Sequence, residues 1–299
     1  MIYHKPVLLE ESICGLNIKP KGIYADLTFG GGGHSLRILE ELDDEGRLLA
    51  FDQDQDAQKN VQSDKRLIFI NSNFRFLRNF LKYYNFEKVD GILADLGISS
   101  YQIDNIERGF MHREDAALDM RMNKESDLTA EMILNKYPQE KLAELFRKYG
   151  ELQGAGRFAR KIIEARKVKT IKTSGELIES LGSLLPERHR AKLLSKLFQA
   201  LRMEVNDELG ALKEMLLQIP ECLKPGGRLV VMSYHSIEDR LVKNFIKTGN
   251  LEGNLEKDFY GNNITNMLTI NKNVIVAGEE EISKNPRSRS AKLRIAELK

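Results

Sequence analysis

A run of four glycines between a predicted strand and a predicted helix restricts the fold more than any other feature of the sequence. The apolar segment 23–27 leads into this run at 30–33, and a helical pattern begins at His34. Glycines at such a junction let the backbone turn sharply and approach a ligand closely. The first turn of the following helix has free N–H groups that can bind a polar or anionic group. The junction therefore predicts a ligand site rather than a plain tight turn.

The region around this junction alternates between short apolar runs and amphipathic segments. The predicted strands are 23–27, 47–51, 67–70 and 89–94, and the predicted helices between them are 34–42 and 74–83. Strands separated by helices indicate βαβ units and a parallel sheet. The same pattern resumes with a strand at 228–232, and we expect part strand and part loop in the Asn-rich segment 254–281.

The middle of the chain has a different pattern, with helices and no convincing strand from about 105 to 205. Helices are predicted at 140–149, 157–167, 175–185 and 191–203, and a further helix follows at 207–219. We therefore expect an α/β domain interrupted by a helical insertion that recognises the substrate. The expected limits are 1–104 and 206–299 for the two parts of the α/β domain, and 105–205 for the insertion.

Charge is unevenly distributed, although the 299 residues have a net charge of only +2. Residues 141–202 hold 15 Lys and Arg against 6 Asp and Glu, a local excess of +9. This segment either faces the phosphates of a nucleic acid or consists of solvated helix faces, and charge alone does not decide between them. The sequence has neither a signal peptide nor an apolar run of about 18–20 residues, so we expect no membrane span. Cys14 and Cys222 have no metal-ligand spacing, and we expect a cytoplasmic protein without bound metal.

Two aspartates at predicted strand ends narrow the ligand to a nucleoside cofactor. Asp52 ends the second strand, where a carboxylate can accept hydrogen bonds from both ribose hydroxyls. Ser35 stands where a dinucleotide fingerprint has its third glycine, which disfavours NAD. Asp95 ends the fourth strand, at the edge that lines the ligand crevice of open α/β sheets. An acidic residue there favours S-adenosylmethionine and an amine acceptor, although a helix cap or a turn could also explain either aspartate.

Several motifs in fixed order resemble the RsmH (MraW) family of bacterial ribosomal RNA methyltransferases across nearly the whole chain. Besides the glycine loop, the motifs are His4-Lys5-Pro6-Val7-Leu8-Leu9, Asp95-Leu96-Gly97-Ile98-Ser99-Ser100, Glu107-Arg108-Gly109-Phe110, Leu118-Asp119-Met120-Arg121-Met122, Phe198-Gln199-Ala200-Leu201-Arg202, Pro225-Gly226-Gly227-Arg228-Leu229, His235-Ser236-Ile237-Glu238-Asp239-Arg240 and Asn285-Pro286-Arg287-Ser288-Arg289-Ser290. The chain departs from the family pattern at Ala116-Ala117, at Leu152, at Tyr101 in place of Pro, and at Tyr234 in place of Phe.

The resemblance implies a class I S-adenosylmethionine methyltransferase fold, a Rossmann-like parallel sheet, with a helical insertion. The implied activity is methylation of the exocyclic N4 amine of a cytidine in the decoding region of 16S rRNA, with the 30S subunit as the expected partner and a homodimer left open. The residues implied to contact S-adenosylmethionine are Gly32, Gly33, His34, Asp52, Phe74, Asp95 and Gln102.

The chemistry needs little more than alignment of an amine with a sulfonium methyl group, so strong general-base catalysis is not required. Asp95 is the expected hydrogen-bond acceptor for the amine, and His235 is a second candidate that a structural role would explain equally well. Phe110 or Tyr234 could stack on the target base, although core packing explains either residue as well. The residues expected to contact RNA are Arg108, Phe110, Arg113, Arg121, Arg287 and Arg289.

Three other functions compete with this interpretation. A methyltransferase of another RNA or of an acidic protein remains open, whereas the basic segment disfavours a small neutral substrate. A pure RNA-binding protein with a vestigial cofactor site is disfavoured by the intact glycine loop with both Asp52 and Asp95. An NAD oxidoreductase is disfavoured by Ser35 and by the lack of a hydride-transfer constellation.

Overall fold

The strands of the α/β unit form one sheet that is parallel over most of its width. A computed structural model describes residues 6–261 and 264–299 of the chain, which excludes His4 and Lys5 of the first motif. The strands within these residues form a single sheet in the order β3-β2-β1-β4-β5-β7-β6. Their bounds are Ile23–Asp26 (β1), Arg47–Asp52 (β2), Leu67–Asn71 (β3), Val89–Asp95 (β4), Leu223–Ser233 (β5), Met267–Thr269 (β6) and Lys292–Leu298 (β7).

The first five strands are parallel, which confirms the predicted α/β class. Strand β1 pairs with β2 and β4, while β7 pairs antiparallel with both β5 and β6 at the far edge. Leu48, Leu49 and Ile92 are fully buried, as expected for strands that are covered on both faces. Replacing such a leucine by Ala typically costs about 2–5 kcal/mol of stability. The sheet is therefore a rigid support for whatever follows each strand.

Two compact units divide the chain. One comprises Met1–Ile98 with Leu209–Lys299, and the other is Ser99–Glu208. The expected limits for the insertion were 105–205. The helices of the described residues are Leu9–Leu16 (α1), Gly33–Glu41 (α2), Leu77–Tyr83 (α3), Ser100–Asp104 (α4), Ala130–Lys136 (α5), Gln139–Lys148 (α6), Ala155–Val168 (α7), Ser174–Leu181 (α8), Arg190–Val205 (α9), Glu208–Cys222 (α10), Ser236–Thr248 (α11) and Glu279–Lys284 (α12).

Some predicted elements are shorter or longer in the structure. The predicted helix 74–83 begins as a 3₁₀ turn at Phe74–Phe76, and the Asn73 side chain caps this turn by accepting a hydrogen bond from the Arg75 N–H. The predicted helix 175–185 ends at Leu181, before Gly182 with its positive φ of 46°. Strand β5 starts five residues earlier than the predicted strand 228–232, since Pro225-Gly226-Gly227 belongs to it. The sequence pattern did not predict the helices α1, α4, α5, α11 and α12 or the strand β7.

The helical unit is stabilised by hydrogen bonds from polar side chains near the end of α9. Asn206 accepts from the Met122 N–H at 2.7 Å and donates to the Met120 carbonyl at 2.8 Å. Arg202 forms two hydrogen bonds, of 2.7 and 2.9 Å, with the Glu208 carboxylate. Each of these groups would leave an unpaired polar partner if it were removed, which typically costs about 1–3 kcal/mol. Within the described residues, none of the helices is both long and apolar enough to cross a membrane.

Candidate functional site

Three aspartates end three neighbouring strands of the parallel sheet. Asp26 is the last residue of β1, Asp52 of β2 and Asp95 of β4. Because these strands are parallel and adjacent, their carboxyl ends lie at one edge of the sheet. This edge is where open α/β sheets bind ligands. The structure thus places the two predicted aspartates, together with a third, at one edge.

Asp26 holds the loop that follows β1. Its side chain is 1% exposed, and Oδ2 accepts a hydrogen bond of 2.7 Å from the Ser35 hydroxyl on α2. Oδ1 accepts from the Thr28 N–H at 3.1 Å, and the Thr28 hydroxyl in turn accepts from the Asp95 N–H at 2.7 Å. Asp26 therefore connects strand β1, the glycine loop and the end of β4. The Ser35 hydroxyl therefore has a structural role, since its bond to Asp26 fixes the first turn of α2.

The glycine loop has the backbone conformation that only glycine adopts without strain. Gly32 has a φ of +80°, and a Cβ there would lie 2.9 Å from the Phe29 ring. A Cβ on Gly33 would lie 2.3 Å from Pro6 Cγ, whereas a Cβ on Gly31 would meet nothing within 4 Å. Helix α2 begins here without a capping side chain. The loop thus combines a tight backbone with open space beside Gly31 and uncapped helix N–H groups, which suits a polar ligand group.

Backbone N–H groups orient the Asp52 side chain, and its surroundings raise its pKa to near neutral pH. Oδ2 accepts from the Gly30 N–H at 2.7 Å, and Oδ1 accepts from the Asp54 N–H at 2.8 Å. Burial raises the pKa of Asp52 to about 7, and these two hydrogen bonds oppose the shift. A carboxylate has about four acceptor positions, so Asp52 keeps acceptor capacity beyond its two backbone hydrogen bonds, and its contact with ribose hydroxyls stays a prediction.

Asp95 is bonded through one oxygen. Oδ1 accepts a hydrogen bond of 2.9 Å from the Tyr234 hydroxyl, and Oδ2 lies 4.0 Å from Nδ1 of His34. The side chain is 24% exposed, which leaves the carboxylate accessible. Burial raises the pKa of Asp95 to about 6, while His34 and the Tyr234 hydroxyl both act to lower it. Asp95 is thus an acceptor that ionises close to neutral pH.

His34 provides a direct test of whether this edge suits a cofactor. Its side chain is 6% exposed, and its Nε2 is a buried nitrogen with no hydrogen-bond partner in the described structure. A buried polar atom without a partner costs free energy unless a ligand or water satisfies it. The orphaned nitrogen, the open side of Gly31 and the two accessible aspartates fit a nucleoside cofactor. The structure brings Gly32, Gly33, His34, Asp52 and Asp95 together at this edge, and their contact with S-adenosylmethionine stays a prediction.

Phe74 and Gln102 occupy different units. Phe74 follows β3 in a half-buried position at the start of the 3₁₀ turn, so its ring remains partly accessible for stacking. Gln102 belongs to the helical unit, where it is buried and caps α4, since its side chain accepts from the Ser99 N–H at 3.1 Å. Contact of either residue with S-adenosylmethionine stays a prediction.

The residues that were expected to contact RNA differ in how accessible they are. Arg108 is 5% exposed and donates to the carbonyls of Arg121 and Met122 at 2.9 and 3.0 Å. Phe110 is buried, with the Arg108 guanidinium 5.8 Å from its ring centroid. Arg121 is bonded twice to the Asp119 carboxylate at 2.8 Å. A phosphate contact by Arg108 or Arg121 stays a prediction, and it would require these internal bonds to be shared or broken.

The other expected RNA contacts are exposed. Arg113 lies on the surface of the helical unit beside a cavity of about 410 Å³, and Arg287 and Arg289 are exposed in the 3₁₀ segment Pro286–Ser290. His235 is half-buried directly before α11, and its N–H donates to the Glu238 carboxylate at 3.2 Å. The catalytic role expected for His235 stays a prediction.

Two residues at this edge were missed as contributors to the site. Tyr234 was considered only as a stacking or core residue, although its hydroxyl bonds to Asp95. Glu238 is 2% exposed, and its carboxylate accepts from the N–H groups of both Tyr234 and His235 at 3.2 Å. A Glu three residues after a helix N-cap is the usual signal for such a bond, so the sequence contained it.

Known proteins resemble the chain over its full length. A relative from Phocaeicola vulgatus, named ribosomal RNA small subunit methyltransferase H, is 57% identical over 296 residues, which cover 99% of this chain and 97% of the relative. Relatives of the same name from Bacteroides thetaiotaomicron and Flavobacterium johnsoniae are 56% and 55% identical over 299 and 297 residues, covering 100% and 99% of this chain and 98% of each relative. The family model described as the MraW methylase family matches residues 1–299. The chain therefore belongs to the MraW methylase family.

Proposed function

We propose that the chain transfers a methyl group from S-adenosylmethionine to the exocyclic N4 amine of a cytidine in the decoding region of 16S rRNA. The observation that carries this proposal is Asp95, an accessible carboxylate at the end of β4 beside the glycine loop, with one oxygen bonded to Tyr234. Relatives at 55–57% identity bear the name ribosomal RNA small subunit methyltransferase H, which supports the substrate class.

The residues at the sheet edge divide the work between binding and alignment. Gly32, Gly33 and His34 would hold the amino acid part of the cofactor, and Asp52 would accept from its ribose hydroxyls. When bound, S-adenosylmethionine supplies a sulfonium methyl group whose C–S bond breaks as the new N–C bond forms. The protein's contribution is then mainly to hold the amine at attack distance, which accounts for large rate accelerations in comparable reactions.

Asp95 makes the cytosine amine a better nucleophile. The lone pair of this amine is delocalised into the ring, and a hydrogen bond from its N–H to the Asp95 carboxylate would localise it on nitrogen. After transfer the nitrogen must lose one proton, and Asp95 or water can accept it. A carboxylate with a pKa of about 6 is ionised at neutral pH and is still basic enough for this role.

Exposed cations on the helical unit suit a polyanionic substrate. Arg157, Arg160 and Lys167 on α7 are exposed, and the surrounding segment 141–202 has the excess of +9. Lys and Arg that neutralise phosphates provide most of the affinity for nucleic acids, without reading their sequence. We further propose that the reaction takes place in the cytoplasm, on 16S rRNA within the 30S subunit.

Transfer of labelled methyl from S-adenosylmethionine tests this function. Purified 30S subunits, free 16S rRNA, other RNA and ribosomal proteins are offered separately to the wild-type chain. We expect label in 16S rRNA, and the more reactive of the first two samples identifies the substrate form. Label in protein, or only in another RNA, would contradict the proposed substrate while leaving the methyltransferase activity standing.

A further inference from the structure

The Tyr234 hydroxyl contacts the carboxylate at the end of β4. Strands β4 and β5 are neighbours, and Asp95 pairs in register with Met232. Tyr234 follows two residues later, just beyond the end of β5, and its ring is half-buried against the core of the α/β unit. The hydroxyl thereby reaches Asp95.

The backbone of Tyr234 is fixed by a buried acid. The Glu238 carboxylate accepts from the Tyr234 N–H and the His235 N–H, both at 3.2 Å, and Glu238 is 2% exposed. Glu238 lies in the first turn of α11, where the helix dipole also favours a negative charge. The tyrosine therefore has a defined position on the sheet edge, rather than that of a loosely held surface ring.

The two oxygens of Asp95 are not equivalent. Oδ1 accepts from the Tyr234 hydroxyl at 2.9 Å, whereas Oδ2 makes no hydrogen bond within the described residues and lies 4.0 Å from His34 Nδ1. We propose that Tyr234 is a positioning residue that engages Oδ1 of Asp95 and so reserves Oδ2 for the N–H of the acceptor amine. This inference rests on the proposed function, because it assumes that the amine bonds to Asp95.

The charged groups around the pair determine the sign of the expected pH effect. His34 on α2 and Asp26 at the end of β1 face Asp95, while Glu238 on α11 and Glu281 on α12 act on Tyr234. The Tyr234 hydroxyl lowers the pKa of Asp95, and Asp95 raises the pKa of Tyr234 well above its usual value. Tyr234 thus stays protonated as a donor, and removing its hydroxyl raises the pKa of Asp95. Activity that needs ionised Asp95 then begins at a higher pH.

Tyr234→Phe removes this single oxygen and keeps the aromatic ring. We expect the acid limb of the kcat profile to move upward by about half to one pH unit, which corresponds to one lost hydrogen bond. At high pH, where Asp95 is ionised in both proteins, kcat should differ by less than about threefold, and KM for S-adenosylmethionine should not change. The hydroxyl therefore extends activity toward lower pH.

A matched control is available in the helical unit. The Tyr137 hydroxyl also donates to a carboxylate, that of Glu204, at 2.9 Å. Tyr137→Phe removes the same kind of bond as Tyr234→Phe, but it should not move the acid limb of the kcat profile. The thermal stability of the two variants can be compared directly. An acid limb that Tyr234→Phe leaves in place, or that Tyr137→Phe shifts equally, would overturn the proposal.

A readout without RNA separates this inference from the proposed function. The carboxyl carbon of Asp95 is titrated by ¹³C NMR in wild-type and Tyr234→Phe protein, with Asp95→Asn to assign the signal. An upward shift in the variant supports the Tyr234–Asp95 contact even if no RNA accepts a methyl group, in which case only the proposed function fails. Identical titration curves would overturn the contact, and with it the positioning role, even if the chain methylates 16S rRNA.

Discussion

The edge of the parallel sheet and the surface of the helical unit use charged residues in opposite ways. At the sheet edge, desolvation raises the pKa of three carboxyl groups, those of Asp26, Asp52 and Asp95. On the helical unit, Arg157 and Arg160 are exposed and form no hydrogen bond or ion pair within the described residues. Buried charges that are held by hydrogen bonds can perform chemistry near neutral pH, whereas exposed charges mainly attract a polyanion. Under the proposed function, the sheet edge would carry catalysis and the helical unit would supply affinity for the substrate.

Loss of Asp95 should lower activity more than any other change proposed here. A small effect would contradict the assignment of catalysis to the sheet edge. Asp95→Asn keeps the shape but removes the negative charge that orients the amine, so kcat should fall by about 10²–10³-fold. Methyl transfer to small-subunit RNA under single-turnover conditions measures this effect. Asp90→Asn is the control, because Asp90 lies at the other end of β4 and forms an ion pair of 2.7 Å with Lys224. It should lower stability and leave kcat unchanged, and equal losses in both variants would refute the role of Asp95.

Asp52 should control cofactor affinity and its pH dependence. Its pKa is raised to about 7, so the carboxyl group becomes protonated as the pH falls below that value and loses acceptor capacity for the ribose hydroxyls. Affinity for S-adenosylmethionine should therefore decrease on acidification in the wild type. Asp52→Asn should weaken binding by about 10–100-fold, as for lost bonds to a charged group, and should flatten this pH dependence. Isothermal titration calorimetry at several pH values checks both; wild-type affinity that is constant with pH would contradict the assignment.

Cations on α7 should have a smaller effect, and one that depends on salt. Replacing Arg157, Arg160 and Lys167 by Gln should weaken RNA binding by about tenfold and reduce the slope of log affinity against log salt by about two to three. Arg166 on the same helix provides the control, because its Nη1 donates to the carbonyls of Leu134 and Tyr137 at 2.7 Å. Arg166→Gln should lower the thermal midpoint without changing the salt slope. An unchanged slope in the triple variant would remove α7 from the RNA surface.

The sequence predicted the sheet edge better than it predicted the role of individual cations. Glycines in a strand–helix junction and aspartates at two strand ends are far more specific together than any one of them is alone, so Gly32, Asp52 and Asp95 could be placed from pattern and spacing. An arginine in a motif looks the same whether it faces solvent or bonds to buried carbonyls. Arg108 does the latter, and only its tertiary partners reveal it.

Strand β7 and the contact between Tyr234 and Asp95 were missed for a similar reason, because both depend on tertiary partners. Strand β7 carries charged residues such as Lys292 and Arg294 that pattern analysis does not associate with a strand, yet Arg294 bonds to Asp239 of α11 at 2.7 Å. The contact between Tyr234 and Asp95 joins residues 139 positions apart. Such contacts depend on the order of strands in the sheet, which short-range periodicity does not contain.

Nucleoside mass spectrometry of 16S rRNA from cells that lack the protein tests the central claim most directly. We predict that one N4-methyl group on a cytidine of the decoding region disappears, that the wild-type chain restores it, and that the Asp95→Asn variant does not. A 16S rRNA whose cytidine N4-methylation is unchanged in cells without the protein would contradict the proposed function. Full restoration by the Asp95→Asn variant would contradict the catalytic role of the sheet edge.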